Sequence, residues 1–132
     1  DSLCSIARME KSLLGPHGAV FARRVFGPAE QAALGLPLAE EEDTARRTAH
    51  TVASAAADFA AKEAFLKAAG TGLREPFSLC EIEAVRLPGG APAYRFSGRS
   101  AQWVEARRLR AHLSLSHEDG MAMAYCILET ET

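Results

Sequence analysis

The stretch FAAKEAFLKAAGTG, residues 59–72, decides the fold of this 132-residue chain. It is dense in strong helix formers, and Gly70 and Gly72 stop it. Successive helix residues turn by about 100°, so Val52, Phe59 and Leu66 fall on one apolar stripe. Read backwards, the Ala-rich pattern predicts one long helix from roughly Thr44 to Ala69. Glu40, Glu41, Glu42 and Asp43 precede it, and carboxylates there favour the helix dipole. Their plain reading is a start signal, ahead of any metal site.

After Gly72 the period changes. Leu79 to Leu87 reads as a strand, Pro88-Gly89-Gly90 as a turn and Ala93 to Phe96 as the return strand. Gly98 to Leu109 is expected to be a short helix around Trp103, a core anchor. In HLSLSHEDG, residues 112–120, Leu113 and Leu115 alternate with polar residues and Asp119-Gly120 supplies a hairpin turn. Met121 to Leu128 then returns. Before the long helix, Leu3 to Ile6 reads as a short buried strand and Ala7 to Leu14 as a helix stopped by Gly15, Pro16 and Gly18. Phe21, Val25 and Phe26 form a second apolar patch, and Pro28 with Glu30 starts a helix that Gly35 and Pro37 end. The predicted class is α+β: N-terminal helices, one of them long, packed on an antiparallel sheet, as one domain over residues 1–132.

Composition narrows the partners. Fifteen Lys and Arg against seventeen Asp and Glu leave a net charge of −2, which argues against general nucleic-acid binding. No apolar run approaches the roughly 18 residues of a membrane span, and no secretory leader is visible. Cys4, Cys80 and Cys126 are odd in number, lack a CxxC pair and sit in apolar, strand-like stretches. They are expected to be free thiols in a reducing, cytoplasmic compartment, with no metal on sulfur.

Two constellations carry chemistry. Glu63 lies only ~40° from the centre of the apolar stripe, where a carboxylate needs a partner. A metal ion or a lysine would each serve. Lys67, four residues later, is placed for a helical ion pair, which is the plainer reading from helix geometry alone. Lys62 points elsewhere and is free to snorkel or bind a phosphate. The glycines follow the helix rather than opening it, so this is no phosphate-cradling P-loop. In Ser114-Leu115-Ser116-His117, adjacent strand residues face opposite ways, so Ser116 and His117 are poorly placed as nucleophile and base.

Taken together, these segments resemble the bacterial holo-[acyl-carrier-protein] synthase family of small phosphopantetheinyl transferases. The likeness runs from Asp1–Arg8 through Phe-x-x-Arg (Phe21 to Arg24), FAAKEAFLKAAGTG, the Ile82-to-Leu87 strand and Gly90-Ala91-Pro92 to HLSLSH. It implies the fold of that family and transfer of the 4′-phosphopantetheine arm of coenzyme A to a serine of apo acyl carrier protein, within fatty acid biosynthesis. The reaction would depend on Mg²⁺ and release 3′,5′-ADP. By position, Glu63 resembles the magnesium ligand, with Asp1 as its possible second, and Glu63 would also orient or deprotonate the serine. Lys67 resembles the phosphate-contacting lysine and Lys62 a supporting one; Gly70, Ser116 and His117 resemble coenzyme A contacts. Arg8 and Arg24 resemble carrier-protein docking residues, and a homotrimer is implied. The register of the family's first-strand Asp holds Ser2 here, and Asp58 stands where an Arg is usual. These two departures motivate the alternative: a non-catalytic relative that binds coenzyme A or a carrier protein.

Overall fold

The first and last strands of the chain lie side by side. In the computed structural model, which describes residues 1–38 and 45–131, β1 (Ser2–Ser5) pairs antiparallel with β5 (Met121–Thr130). β5 pairs in turn with β4 (Leu109–Glu118), giving the order β1-β5-β4. A separate two-stranded ribbon joins β2 (Ile82–Arg86) and β3 (Pro92–Phe96). The α+β class expected from the sequence is what forms, with two corrections. The helices do not all precede the sheet, because the opening strand is its edge, and the strands divide into two sheets. β1 is not a buried strand either: Leu3 is 55% exposed on that edge.

Local chemistry explains the boundaries. Ser5 accepts a hydrogen bond from the Arg8 N–H at 3.2 Å and so caps α1 (Ile6–Leu14). α2 (Gly18–Val25) follows, then α3 (Pro28–Leu34), with proline at its first position. The long helix α4 covers Ala45–Ala69, and the carboxylates Glu40 to Asp43 lie outside the described residues. The stretch read as a strand from Leu79 opens as a 3-10 turn, Leu79–Glu81, before β2. Cys80 is therefore in a turn, not a strand. α5 (Gly98–Ala106) stops short of Leu109, which already belongs to β4. The β4–β5 turn has positive φ at both Asp119 (52°) and Gly120 (73°), the mirror-type geometry that two-residue hairpins favour.

α4 is the spine. It lies across β5 and β1, and two apolar clusters form along it. One gathers Phe65, Leu66, Phe77, Ile82, Val104 and Cys126; the other gathers Met9, Leu13, Val25, Phe26 and Val52. Trp103 is half-buried at the rim of the first, edge-on to Phe77 at 4.9 Å and covered by the Arg107 guanidinium. All three cysteines are free, as expected. Among the described residues, no helix is long and apolar enough to cross a membrane.

Candidate active site

Helical phase puts Glu63 where α4 leaves the core. Val52 and Leu66 are buried, Phe59 is half-buried, and Glu63 at the stripe's edge is half-buried as well. Glu63 lines two grooves. The larger, of about 400 Å³, runs between β1, α1, α2 and α4 and presents Ser5, Arg8, Ser12, Cys4 and Phe21 to Glu63. The smaller, of about 250 Å³, is walled by Phe59, Leu66, Leu73 and Leu79 and carries Lys67 beside Glu63. A third groove, of about 260 Å³, holds Asp1, Ser114, Ser116 and Tyr125 and meets the first at Leu3.

The helical ion pair does not form. Among the described residues, no hydrogen bond or ion pair engages the Glu63 carboxylate. Among the described residues, the exposed Lys67 ammonium reaches only the Asp1 carbonyl oxygen, at 3.4 Å. A partly desolvated carboxylate and a nearby cation are thus both left open to a ligand. Cys4 is no rival nucleophile: burial, with Glu63 close by, pushes its thiol pKa up and keeps it protonated.

Other expected site residues lie elsewhere. Asp1 does not join Glu63, because β1 pairs with β5 without a bulge from Ser2 to Ser5. Alternation buries Ser2 toward the core and turns Asp1, like Leu3, to the outer face. Ser116 sits there with Asp1. His117 is exposed near the hairpin end, Gly70 caps α4 with φ 79°, and neither lines a groove that Glu63 lines. Arg8 lines the larger groove together with Glu63, whereas Arg24 is exposed on α2 outside it.

Lys62 departs most. It neither snorkels nor reaches a groove; it is fully buried. Its ammonium donates to Glu30 Oε1 at 2.5 Å, to the Ile82 carbonyl at 2.7 Å and to the Leu79 carbonyl at 3.1 Å. Glu30 also accepts from the Gly27 N–H (3.1 Å) and the Ala84 N–H (3.0 Å), and Glu83 accepts from the Glu30 N–H at 2.9 Å. Gly27 is required here, since a Cβ would run into the Glu83 carboxylate and the Cys80 carbonyl. Pro28 and Glu30 were legible as a helix start; that Glu30 also serves a lysine 32 residues away was not.

Asp58 belongs to this buried cluster, not to the grooves. It accepts from Arg86 at 3.2 Å, so the acidic residue standing in an arginine's place faces inward, where a cation answers it. Burial first, then the Glu30 charge, push its pKa from 3.8 up to about 7, against the pull of Arg86. The folded chain therefore holds this proton more tightly than the unfolded one. That contribution is complete below about pH 4 and is lost as pH rises through about 7. Asp58→Asn should flatten the decline and gain on the order of 2 kcal/mol at pH 8. Urea unfolding at pH 5 and pH 8 checks this; equal slopes with pH in both proteins would refute it.

The donor set suits a hard divalent cation at one point. No three His, Cys, Asp or Glu converge as a metal cage among the described residues. Mg²⁺ needs none, since one carboxylate, water and substrate phosphate oxygens satisfy it. Glu63, unpartnered among the described residues and lining the larger groove with Ser5 and Arg8, offers that carboxylate.

Comparison with known proteins bears on this site. A family model described as the 4′-phosphopantetheinyl transferase superfamily matches residues 6–126. The holo-[acyl-carrier-protein] synthase of Bordetella pertussis is 40% identical over 128 residues, 96% of this chain and 78% of that protein. Its counterpart from Methylibium petroleiphilum is 36% identical over 129 residues, 98% of this chain and 92% of that one. A crystal structure of a holo-(acyl-carrier-protein) synthase from Bacillus anthracis, in complex with CoA (3′,5′-ADP), is 29% identical with a TM-score of 0.69. The match covers 98% of this chain and 92% of that one.

Proposed function

The chain belongs to the 4′-phosphopantetheinyl transferase superfamily, and from that membership we propose that it moves the phosphopantetheine arm of coenzyme A to a serine of acyl carrier protein. The observation that carries the reading is Glu63: a half-buried carboxylate with no protein partner among the described residues, set where a polar groove bearing Arg8 meets an apolar one bearing Lys67.

In the reaction, the serine oxygen bonds to the phosphorus that carries the pantetheine. The bond from that phosphorus to the bridging pyrophosphate oxygen breaks, and 3′,5′-ADP leaves with the electron pair. Glu63 orients the hydroxyl and takes its proton, directly or through water. Glu63 would be the residue that holds Mg²⁺, and the ion when bound would supply neutralisation of the charge that builds on the phosphate oxygens. Lys67 places a second positive charge at the same edge for a phosphate oxygen. Arg8, with Arg24 on the neighbouring helix, steers an acidic carrier protein toward the larger groove. Assembly as a homotrimer is part of the reading, supported by exposed Leu3, Tyr125 and Ile127 on the outer face of the β1-β5-β4 sheet.

Purified protein, apo carrier protein, coenzyme A and Mg²⁺ test the proposal by mass spectrometry. The carrier should gain one phosphopantetheine. Asp1 on the outer face favours the second reading, a non-catalytic binder, which predicts coenzyme A binding without any mass gain. Lys67→Ala should raise the KM for coenzyme A about tenfold with a smaller change in kcat. Unchanged kinetics would take Lys67 out of phosphate contact.

A further inference from the structure

We propose that Lys62 is a positioning residue for this transfer: by tying α4 to α3 and to the entry of β2, it fixes the setting of α4 that presents Glu63 to the two grooves. The inference rests on the transferase reading above and adds to it a residue that touches no groove.

Much of the interior face of α4 is made of small side chains, set between the larger Val52, Phe65 and Leu66. Ala55, Ala56, Ala57, Ala60, Ala61 and Ala64 are all buried. Methyl groups are alike and nearly featureless, so these alanines offer few steric stops against sliding or turning. Directional bonds add stops to those that Phe65 and Leu66 supply by packing. Tyr94 donates to the Ala61 carbonyl at 2.6 Å, and Lys62 makes three bonds at once. An ammonium has three N–H donors, and here each finds an acceptor, one from α3 and two from the segment leading into β2. Those acceptors are themselves fixed. Glu30 is held by the Gly27 and Ala84 N–H groups, and Glu83 holds the Glu30 N–H. Both carboxylates are buried, so the assembly does not exchange partners with solvent.

Glu63 is the next residue along, about 100° around the same helix. Any slip or rotation that loosens Lys62 therefore moves the Glu63 carboxylate at the grooves. A displacement near 1 Å is enough to lower a rate by about 10²-fold. Lys62 thus acts through Glu63 and not on substrate.

Lys62→Met should be compared with the unsubstituted chain for kcat, KM for coenzyme A and half-saturating Mg²⁺. Val104→Ala, a cavity variant in the apolar core on α5, serves as the stability control. The expected result for Lys62→Met is a kcat lower by about tenfold or more, half-saturating Mg²⁺ higher by about fivefold, and a KM within about twofold. Val104→Ala, assayed below its Tm, should change none of the three. If Lys62→Met does not fold, the pair Lys62→Met with Glu30→Gln removes both charges of the buried ion pair and carries the same expectation. A folded Lys62 variant with unchanged kcat and Mg²⁺ response overturns the inference alone, as does an equal loss in Val104→Ala. No transfer by the unsubstituted chain overturns the transferase reading and this inference with it.

Discussion

Glu63→Gln should lower arm transfer by about 10²–10⁴-fold in kcat while leaving the fold and Tm unchanged. The size follows from what the substitution removes. Glutamine keeps the shape of the side chain but carries no charge for a divalent cation and takes no proton from a serine hydroxyl. Stability should be spared because no protein group depends on the carboxylate: among the described residues it has neither hydrogen bond nor ion pair. Its change in stability is expected within about 0.5 kcal/mol, as for a surface substitution. KM for coenzyme A should move less than kcat, since Lys67 remains to meet a phosphate. Steady-state kinetics with apo carrier protein, alongside circular dichroism, measure both. A folded variant that keeps more than about a tenth of the normal rate would take Glu63 out of the chemistry.

The second large effect is on the fold. Phe65→Ala should lose about 3–5 kcal/mol, a large share of the roughly 5–15 kcal/mol that stabilises an ordinary domain. Phe65 is fully buried on α4 and meets Phe96 at 4.8 Å, Phe77 at 5.5 Å and Tyr94 at 5.9 Å between ring centroids. It is the aromatic centre through which the β2–β3 ribbon and Phe77 before it pack onto α4, beside the hydrogen bonds of Tyr94 and Lys62. Removing the ring forfeits its transfer from water and leaves a cavity that three rigid aromatic neighbours cannot close. Tm should fall by roughly 10–20 °C, read by calorimetry with urea unfolding as a check. A loss under about 1 kcal/mol would mean that the aromatic cluster does not hold the ribbon.

Local signals in the sequence were enough for most of the architecture. Proline and glycine punctuation marked α3 and the hairpins, and the alternation of His112 to Ser116 gave the facing of β4 residue by residue. What escaped was long-range. Nothing near Leu3 says that its strand pairs with residues 121–124, because pairing partners more than 100 positions apart leave no trace in local periodicity. The site divided in the same way. The position of Glu63 at the rim of the apolar stripe follows from helix phase alone. The inward turn of Lys62 does not, since its acceptors come from residues 30, 79 and 82, and a lysine alone on a helical wheel looks ready for solvent. The ion pair of Glu63 with Lys67 was the cheaper guess from spacing. It fails because Lys67 leans toward the start of β1, a neighbour that the helical pattern cannot reveal.

The adjacency of Lys62 and Glu63 makes α4 intolerant of indels. Deleting one residue upstream within the helix would bring Glu63 into the slot beside Glu30 and Glu83, crowding three acids with no counter-ion, and would carry Ala64 to the mouth of the grooves. An insertion would send the lysine outward in its stead. The residue count of this rod between Val52 and Leu66 is thus a fixed dimension, and linkers or grafted segments belong outside it.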